Sequence, residues 1–262
     1  MKPACASPSA AAPKLELSGV VKRLGAQVAL GPIDLKVMAG ESLAVVGPSG
    51  AGKTTLLRLL LGLERPDAGA VRLSGGPLSD GDLLAARRRI GYVVQGGGLF
   101  PHLTAAGNAG LVARFLGWSG PRIEARVREL AALARLPFDL FARYPAQLSG
   151  GQAQRVALVR ALMLDPEVLL LDEPLGALDP VTRAELQEDL ARAFSQLGKT
   201  VVLVTHDLAE AAILCGRIAL LKEGRLLQEG SLEDLVRRPV DAFVGRFVRA
   251  QRSPQDLLRE AP

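Results

Sequence analysis

Gly47-Pro48-Ser49-Gly50-Ala51-Gly52-Lys53-Thr54 sets three glycines and a small alanine ahead of a lysine and a hydroxyl side chain. Such a run lets successive backbone N–H groups curl around phosphate oxygens, and a helix N-terminus beyond it adds a favourable dipole. Lys53 would reach the β- and γ-phosphates, and the Thr54 hydroxyl suits Mg²⁺, a cation that prefers oxygen ligands and keeps several waters. Farther along, Val168-Leu169-Leu170-Leu171 leads into Asp172-Glu173-Pro174. Two acids at the carboxyl end of a buried strand stand where open α/β sheets place their ligands. Asp172 would join the Mg²⁺ shell, and Glu173 would orient or deprotonate a water attacking in line at the γ-phosphate. The bland alternatives are a glycine turn before a helix and two solvated acids capping one; the two motifs together in one chain argue against both.

The elements that must hold these residues follow from apolar periodicity. Leu15–Val21, Val28–Val37 and Ser42–Val46 read as strands, the last running into the glycine-rich turn and a helix from about Lys53 to Leu61 that stops at Gly62. Ala70–Leu73, Ile90–Val94, Val168–Leu171 and Val201–Thr205 alternate with helical patterns, which predicts a largely parallel α/β sheet. Between Gln95 and Asp165 no strand pattern occurs. Ile123, Val127, Leu130 and Leu133 recur there on one helical face, so the stretch reads as an inserted helical lobe. Ile218–Lys222 and Arg225–Gln228 flank Glu223-Gly224 as a hairpin, and short helices and a polar tail follow.

With 262 residues, 48% of them hydrophobic, the chain can bury one large domain or a domain and a subdomain. No apolar run approaches the ~18 residues needed to cross a bilayer, so a soluble chain is expected. Met1–Pro13 is rich in Ala, Pro and Ser, lacks the apolar core of a signal peptide and reads as a disordered leader. Cys5 in that leader and Cys215 in a predicted helix give no disulfide framework and fit a reducing compartment. The net charge of +5 comes from dispersed arginines without interleaved aromatics, so nucleic acid is not an expected partner.

Leu148-Ser149-Gly150-Gly151-Gln152 completes the set, with Gln95, Gly176 to Asp179 and His206, the last at the end of a predicted strand and followed by Asp207. By average residue usage the glycine-lysine pattern arises by chance in roughly 1 in 100 chains of this length, and LSGGQ in on the order of a few in 10,000. From about Leu15 to Val248 the chain resembles the nucleotide-binding subunit of an ABC (ATP-binding cassette) transporter. The resemblance implies a mostly parallel RecA-like sheet with an N-terminal antiparallel β subdomain and an inserted helical subdomain. It divides the chain into a cassette over 14–248, with its core at 14–95 and 166–235 and its helical subdomain at 96–165, and a polar tail over 249–262. ATP and Mg²⁺ are the implied cofactors. Gly47, Pro48, Ser49, Gly50, Ala51, Gly52, Lys53, Thr54 and Thr55 would bind the nucleotide. Ser149, Gly150, Gly151, Gln152 and Asp179 would bind nucleotide held by another subunit, so two subunits must meet head to tail. Gln95 matches the loop that touches Mg²⁺ and links sheet to helical lobe, and His206 matches the histidine that senses the γ-phosphate. Implied partners are a second ATP-binding subunit, transmembrane permease subunits and, indirectly, a solute-binding protein, which places the chain on the cytoplasmic face of a membrane.

Arg143-Tyr144-Pro145-Ala146-Gln147 lacks the Gly-Glu segment that exporters of the family carry before the signature, which is the importer pattern. Gly91–Gln95, Leu99–Thr104 and Leu116-Gly117-Trp118 are similar to the ATPases that serve importers of glycine betaine, choline or carnitine. Phe100, Pro101 and Trp118 have two compatible readings, as packing within the helical lobe or as part of a groove for a permease helix. The chain departs from relatives at Gly107, where many have Glu, and at Leu24, where most have an aromatic that stacks on adenine. The residues after the last core helix are expected to be too few for a pair of regulatory CBS domains. A non-transport ABC switch would be expected to carry tandem cassettes or a coiled-coil insertion, and a metabolic kinase has no use for LSGGQ.

Overall fold

Strands that are apolar at every position need cover on both faces. The computed structural model, which describes residues 12–25, 27–78, 83–176 and 178–251, supplies it. Numbered in chain order, the strands are β1 (Leu15–Leu24), β2 (Gln27–Val37), β3 (Ser42–Val46), β4 (Ala68–Leu73), β5 (Gly76–Pro77), β6 (Ile90–Val93), β7 (Val168–Asp172), β8 (Thr200–Thr205), β9 (Arg217–Lys222) and β10 (Arg225–Gly230). The helices are α1 (Lys53–Leu60), α2 (Leu83–Arg88), α3 (Ala105–Phe115), α4 (Gly120–Leu133), α5 (Gly150–Leu162), α6 (Pro180–Leu197), α7 (Leu208–Leu214), α8 (Leu232–Arg237) and α9 (Ala242–Ala250). A six-stranded sheet runs in the order β10-β9-β3-β8-β7-β6, parallel from β9 to β6 and antiparallel at the β9/β10 hairpin. Its strands alternate between two cores. Val168 and Leu170 of β7 join Leu43, Val45, Val202 and Val204 in a cluster with α1 and the smaller sheet, whereas Leu169 and Leu171 join Ala44, Val46, Val201 and Leu203 in a cluster with the helices on the other side.

The smaller sheet has the order β2-β1-β4-β5 and is antiparallel throughout. It corrects one expectation: the strand read at Ala70–Leu73 belongs here, antiparallel to β1, and not to the parallel sheet. The reason is legible in its burial, with Val71 and Leu73 inside and Ala70 and Arg72 partly exposed, a pattern for a sheet covered on one face. The stretch 96–165 contains only helices and turns. Ile123, Val127 and Leu130 of α4 are buried, and they share a core with the parallel sheet, so the helical lobe is a second layer of one core. Cys215 is buried just past the end of α7 in extended backbone and not within the helix. The last helix reaches Ala250, so residues 249 and 250 of the expected tail are helical. The expected leader before Ala12, Cys5 with it, and the tail beyond Gln251 lie outside the described residues.

Candidate nucleotide site

Strand β3 ends at Val46, α1 begins at Lys53, and the chain between them must turn tightly under other backbone. Gly47 and Gly52 show why the turn needs glycine. Both have positive φ, 156° and 99°, and a Cβ on Gly47 would fall 2.2 Å from the Leu221 carbonyl oxygen. On Gly52 it would fall 2.7 Å from the Ala29 oxygen. The loop is braced from outside the motif: the Gly224 N–H donates to the Ala51 oxygen at 3.1 Å. Lys53 is buried, and its ammonium donates to the carbonyls of Gly47 (2.8 Å) and Pro48 (3.0 Å). Burial pulls its pKa below the ordinary value, opposed by the charges of Glu173 and Asp172, so these three groups form one electrostatic unit.

The acids reach that unit from β7. Asp172 is buried at the strand end, and Tyr92 of β6 lies 3.5 Å from its Oδ2. Burial raises the Asp172 pKa, and the neighbouring Glu173 raises it further. Tyr92 itself is pushed up to about 12 by burial and by Asp172. Glu173 leaves the strand with φ 44°, in the left-handed region, while its N–H donates to the Val204 oxygen at 2.9 Å. Its carboxylate receives a hydrogen bond from Gln95 Nε2 at 3.0 Å and lies 3.5 Å from Nδ1 of His206. Ser49 to Thr55, Gln95, Glu173 and His206 thus line one cavity of about 910 Å³. The Asp172 carboxylate, the hydroxyl of the exposed Thr54 and the Gln95 amide are an oxygen-donor set, and Mg²⁺ bound together with phosphate oxygens fits it. Among the described residues there is no cluster of three His, Cys, Asp or Glu side chains that would hold a metal alone.

The signature residues are elsewhere. Ser149 caps α5, its hydroxyl accepting from the Gln152 N–H at 3.2 Å while the Gln152 side chain accepts from the Ser149 N–H at 3.0 Å. Gly151 packs so closely on Thr182 that a Cβ would come within 2.5 Å of its methyl. Asp179 caps α6 through the N–H groups of Val181 and Thr182, and hydrogen bonds from the Thr182 side chain first, then from these N–H groups, hold its pKa low. Neither Ser149, Gly150, Gly151, Gln152 nor Asp179 lines the cavity that holds Lys53 and Glu173.

Sequence reading missed part of the lining. Gln27, Val28 and Ala29 of the small sheet, with Glu223-Gly224 at the β9/β10 turn, complete the cavity wall beside Leu24, the position at which the resemblance expects the residue that meets adenine. The Glu223-Gly224 pair carries a hairpin signal and nothing local that announces its contact with the phosphate loop. Trp118 and Phe100 also part company. Trp118 packs in the helical lobe with the Arg122 guanidinium 3.7 Å from its ring centre, while Phe100 is 44% exposed beside His102. A different groove, lined in part by Leu84, Tyr92, Val112 and Phe115, also carries exposed apolar side chains, and Phe115 is 84% exposed.

A parallel sheet with a glycine-rich loop and paired acids at its strand ends defines a phosphate-loop nucleotide-binding domain. The chain belongs to the ABC transporter family, whose model matches residues 30–176. It is 43% identical over 228 residues to the choline transport ATP-binding protein OpuBA of Bacillus subtilis, covering 87% of this chain and 60% of that protein. Over 233 residues it is 44% identical to the glycine betaine uptake system ATP-binding protein YehX of Escherichia coli, covering 89% and 76%. Over 236 residues it is 45% identical to the Fe(3+) ions import ATP-binding protein FbpC of Pseudomonas fluorescens, covering 89% and 66%. The chain therefore spans about three fifths of OpuBA's length. Among solved structures, a dimeric ATP-binding cassette in a post-hydrolysis state, bound to ADP and Pi, superposes with a TM-score of 0.75 at 37% identity. That match covers 83% of this chain and 98% of the other.

Proposed function

We propose that this chain is the ATP-hydrolysing subunit of an ABC importer and drives uptake of an osmoprotectant or quaternary amine through a separate membrane permease. The observation that carries the reading is the division of the motifs. One cavity gathers the phosphate loop, Gln95, Glu173 and His206, while the signature helix presents Ser149 away from it. A site so divided is completed by a second copy placed head to tail, as the dimeric state of the ADP-bound cassette supports.

Within the composite site the backbone N–H groups of the loop bind the phosphates and Lys53 neutralises them. Mg²⁺ held by Thr54, Asp172 and Gln95 would offset charge on the β- and γ-oxygens. Glu173 takes a proton from the attacking water as its oxygen bonds to the γ-phosphorus, and the bond to the bridging oxygen breaks, releasing ADP and phosphate. His206, beside Glu173, faces the same phosphate. Ser149 and the N-terminal N–H groups of the partner's α5 contact it from the far side, so ATP favours the closed pair and hydrolysis removes that preference. The exposed Leu84, Val112 and Phe115 offer an apolar groove to a permease helix, which carries the motion to the membrane. Among the described residues no helix is long and apolar enough to cross a membrane. The permease partner that this reading requires would put the chain at the cytoplasmic membrane face, with a solute-binding protein as an indirect partner.

Similarity to the choline and glycine betaine ATPases supports the solute class, and similarity to the iron importer FbpC favours a second reading of the solute alone. Reconstitution with the permease in proteoliposomes separates them: ATP-dependent accumulation of radiolabelled choline or glycine betaine is expected. Accumulation of Fe(3+) in their place overturns the solute class, and co-purification with ribosomes or DNA without a permease overturns transport.

A further inference from the structure

Thr205 ends β8 and His206 follows it, so whatever fixes Thr205 fixes the direction in which the histidine leaves the sheet. Thr205 is buried, and its hydroxyl is used twice. It accepts from the Asp207 N–H at 3.0 Å and donates to Oε2 of Glu210 at 2.7 Å. Glu210, on α7, is 6% exposed, and its other oxygen, Oε1, is buried without a hydrogen-bond partner. The Nε of Arg183 is also a buried polar atom without one. Arg183 lies on α6, donates through Nη2 to the Leu178 oxygen at 3.1 Å, and is near enough for its charge to act on Glu210. A buried acceptor and a buried donor of opposite charge are thus each left unmet, one on the helix that follows His206 and one on the helix that Asp179 caps. An unmet buried polar atom is costly, and one N–H to O bond between these two would satisfy both.

We propose that Glu210 is a positioning residue for ATP hydrolysis. Through Thr205 it sets how His206 faces Glu173, and its free oxygen pairs with the free Nε of Arg183 when the segment around Leu178 and Asp179 shifts toward α7. The inference rests on the roles given above to Glu173 and His206 and adds a link between the segment that meets the partner subunit and the histidine.

The charged groups around Glu210 set the direction of the effect. Burial raises its carboxyl, the Thr205 hydrogen bond lowers it, Asp207 raises it, and His206 and Arg183 lower it, for a result of about 7. Cys215, past the end of α7, is pushed up to about 12 by burial and by Glu210, and so stays a thiol. The Thr205 hydroxyl donates its one proton to Oε2, which leaves Oε1 as the oxygen open to a proton. A proton on Glu210 therefore sits on Oε1, where it blocks the Arg183 pairing. The carboxylate form is the coupled one.

The chain has two histidines, so in ¹H-¹³C NMR the His206 imidazole resonance is assigned by comparison with His102→Gln. In wild type it should show, besides its own titration, a second inflection near pH 7. Glu210→Gln should abolish that inflection, and Arg183→Ala should move it to higher pH. In parallel, kcat for ATP should rise across the same pH range in wild type and stay low and flat in Glu210→Gln, by on the order of tenfold, with KM changed less than about twofold. If the His206 titration is the same in wild type, Glu210→Gln and Arg183→Ala, the proposal is overturned, whatever the variants do to stability. Should Glu210→Gln fail to fold, the Arg183→Ala shift decides alone, and its absence overturns the proposal. If wild type neither binds nor hydrolyses ATP while the NMR linkage holds, the catalytic reading fails and the link between helices stands.

Discussion

Glu173 leaves a fully buried strand through a left-handed backbone conformation that non-glycine residues avoid at a cost on the order of 1 kcal/mol or more. The turn delivers its carboxylate to Gln95 and His206 when the next residues of an extended strand would have carried it past them. Glu173→Gln keeps the shape and the hydrogen bonding and loses the base. ATP should still bind and hold a closed dimer while turnover falls by on the order of 10² or more, and single-turnover hydrolysis with gel filtration measures both. Near wild-type turnover with the permease present would remove Glu173 from its role. Leu24 is the second residue-scale case. It lines the cavity at 52% exposure where a purine could lie, and offers apolar contact without a π-face. An aromatic on a base contributes roughly 1–3 kcal/mol, so Leu24→Tyr should tighten ATP several-fold, whereas the wild type should discriminate weakly between ATP and GTP. Equilibrium binding of both nucleotides to both forms tests this, and unchanged affinity means the base lies elsewhere.

At the scale of elements, α5 has two jobs. Its N-terminus carries Ser149, and its other end holds the loop after Gln95, because the Arg160 guanidinium donates to the Gly97 and Gly98 oxygens at 2.7 Å each. The reciprocal bonds of Ser149 and Gln152 fix the first turn, so the remaining N-terminal N–H groups keep one direction. With two copies arranged head to tail, mixing Ser149→Arg subunits with Lys53→Ala subunits leaves one composite site with both lesions and one with neither. Mixtures should then bind nucleotide at one intact site per dimer, as counted by stoichiometric titration of purified heterodimers. Two equally impaired sites would mean that each signature serves its own phosphate loop.

Over the whole molecule, the two sheets meet at Glu167, just before β7. Its carboxylate takes hydrogen bonds from Arg89 at 2.7 and 2.9 Å and from Lys14 at 2.8 Å, which joins the starts of β6, β7 and β1. The Arg89 and Lys14 bonds hold its pKa down at about 2 against the usual 4.5. A carboxyl depressed on folding contributes stability that is fully present above the unfolded value and lost as pH falls through the folded one. The group is partly exposed, so solvent screening keeps the contribution small. Glu167→Gln should lower Tm by roughly 2–4 °C at pH 7, and the gap should close between pH 4.5 and about 2. A gap that is constant with pH would assign the loss to packing.

The motifs were legible in the chain because each combines residue types that few other tasks require: glycines at fixed spacing before a lysine, and acids after four apolar residues. The same local logic gave β3 to α1, the hairpin at Glu223-Gly224 and the all-helical stretch after Gln95, since turn chemistry and apolar period act over a few residues. Sequence alone misplaced Ala70–Leu73, because strand propensity does not state which sheet a strand joins; that depends on pairing with Leu15–Ser18 more than fifty residues away. It gave no sign that Gly224 would brace the phosphate loop or that the free oxygen of Glu210 and the free Nε of Arg183 would be buried within reach of each other's charge. Those relations are set by how the two sheets and the helices close over a common core. Their cause is long-range packing, to which no short window of sequence has access.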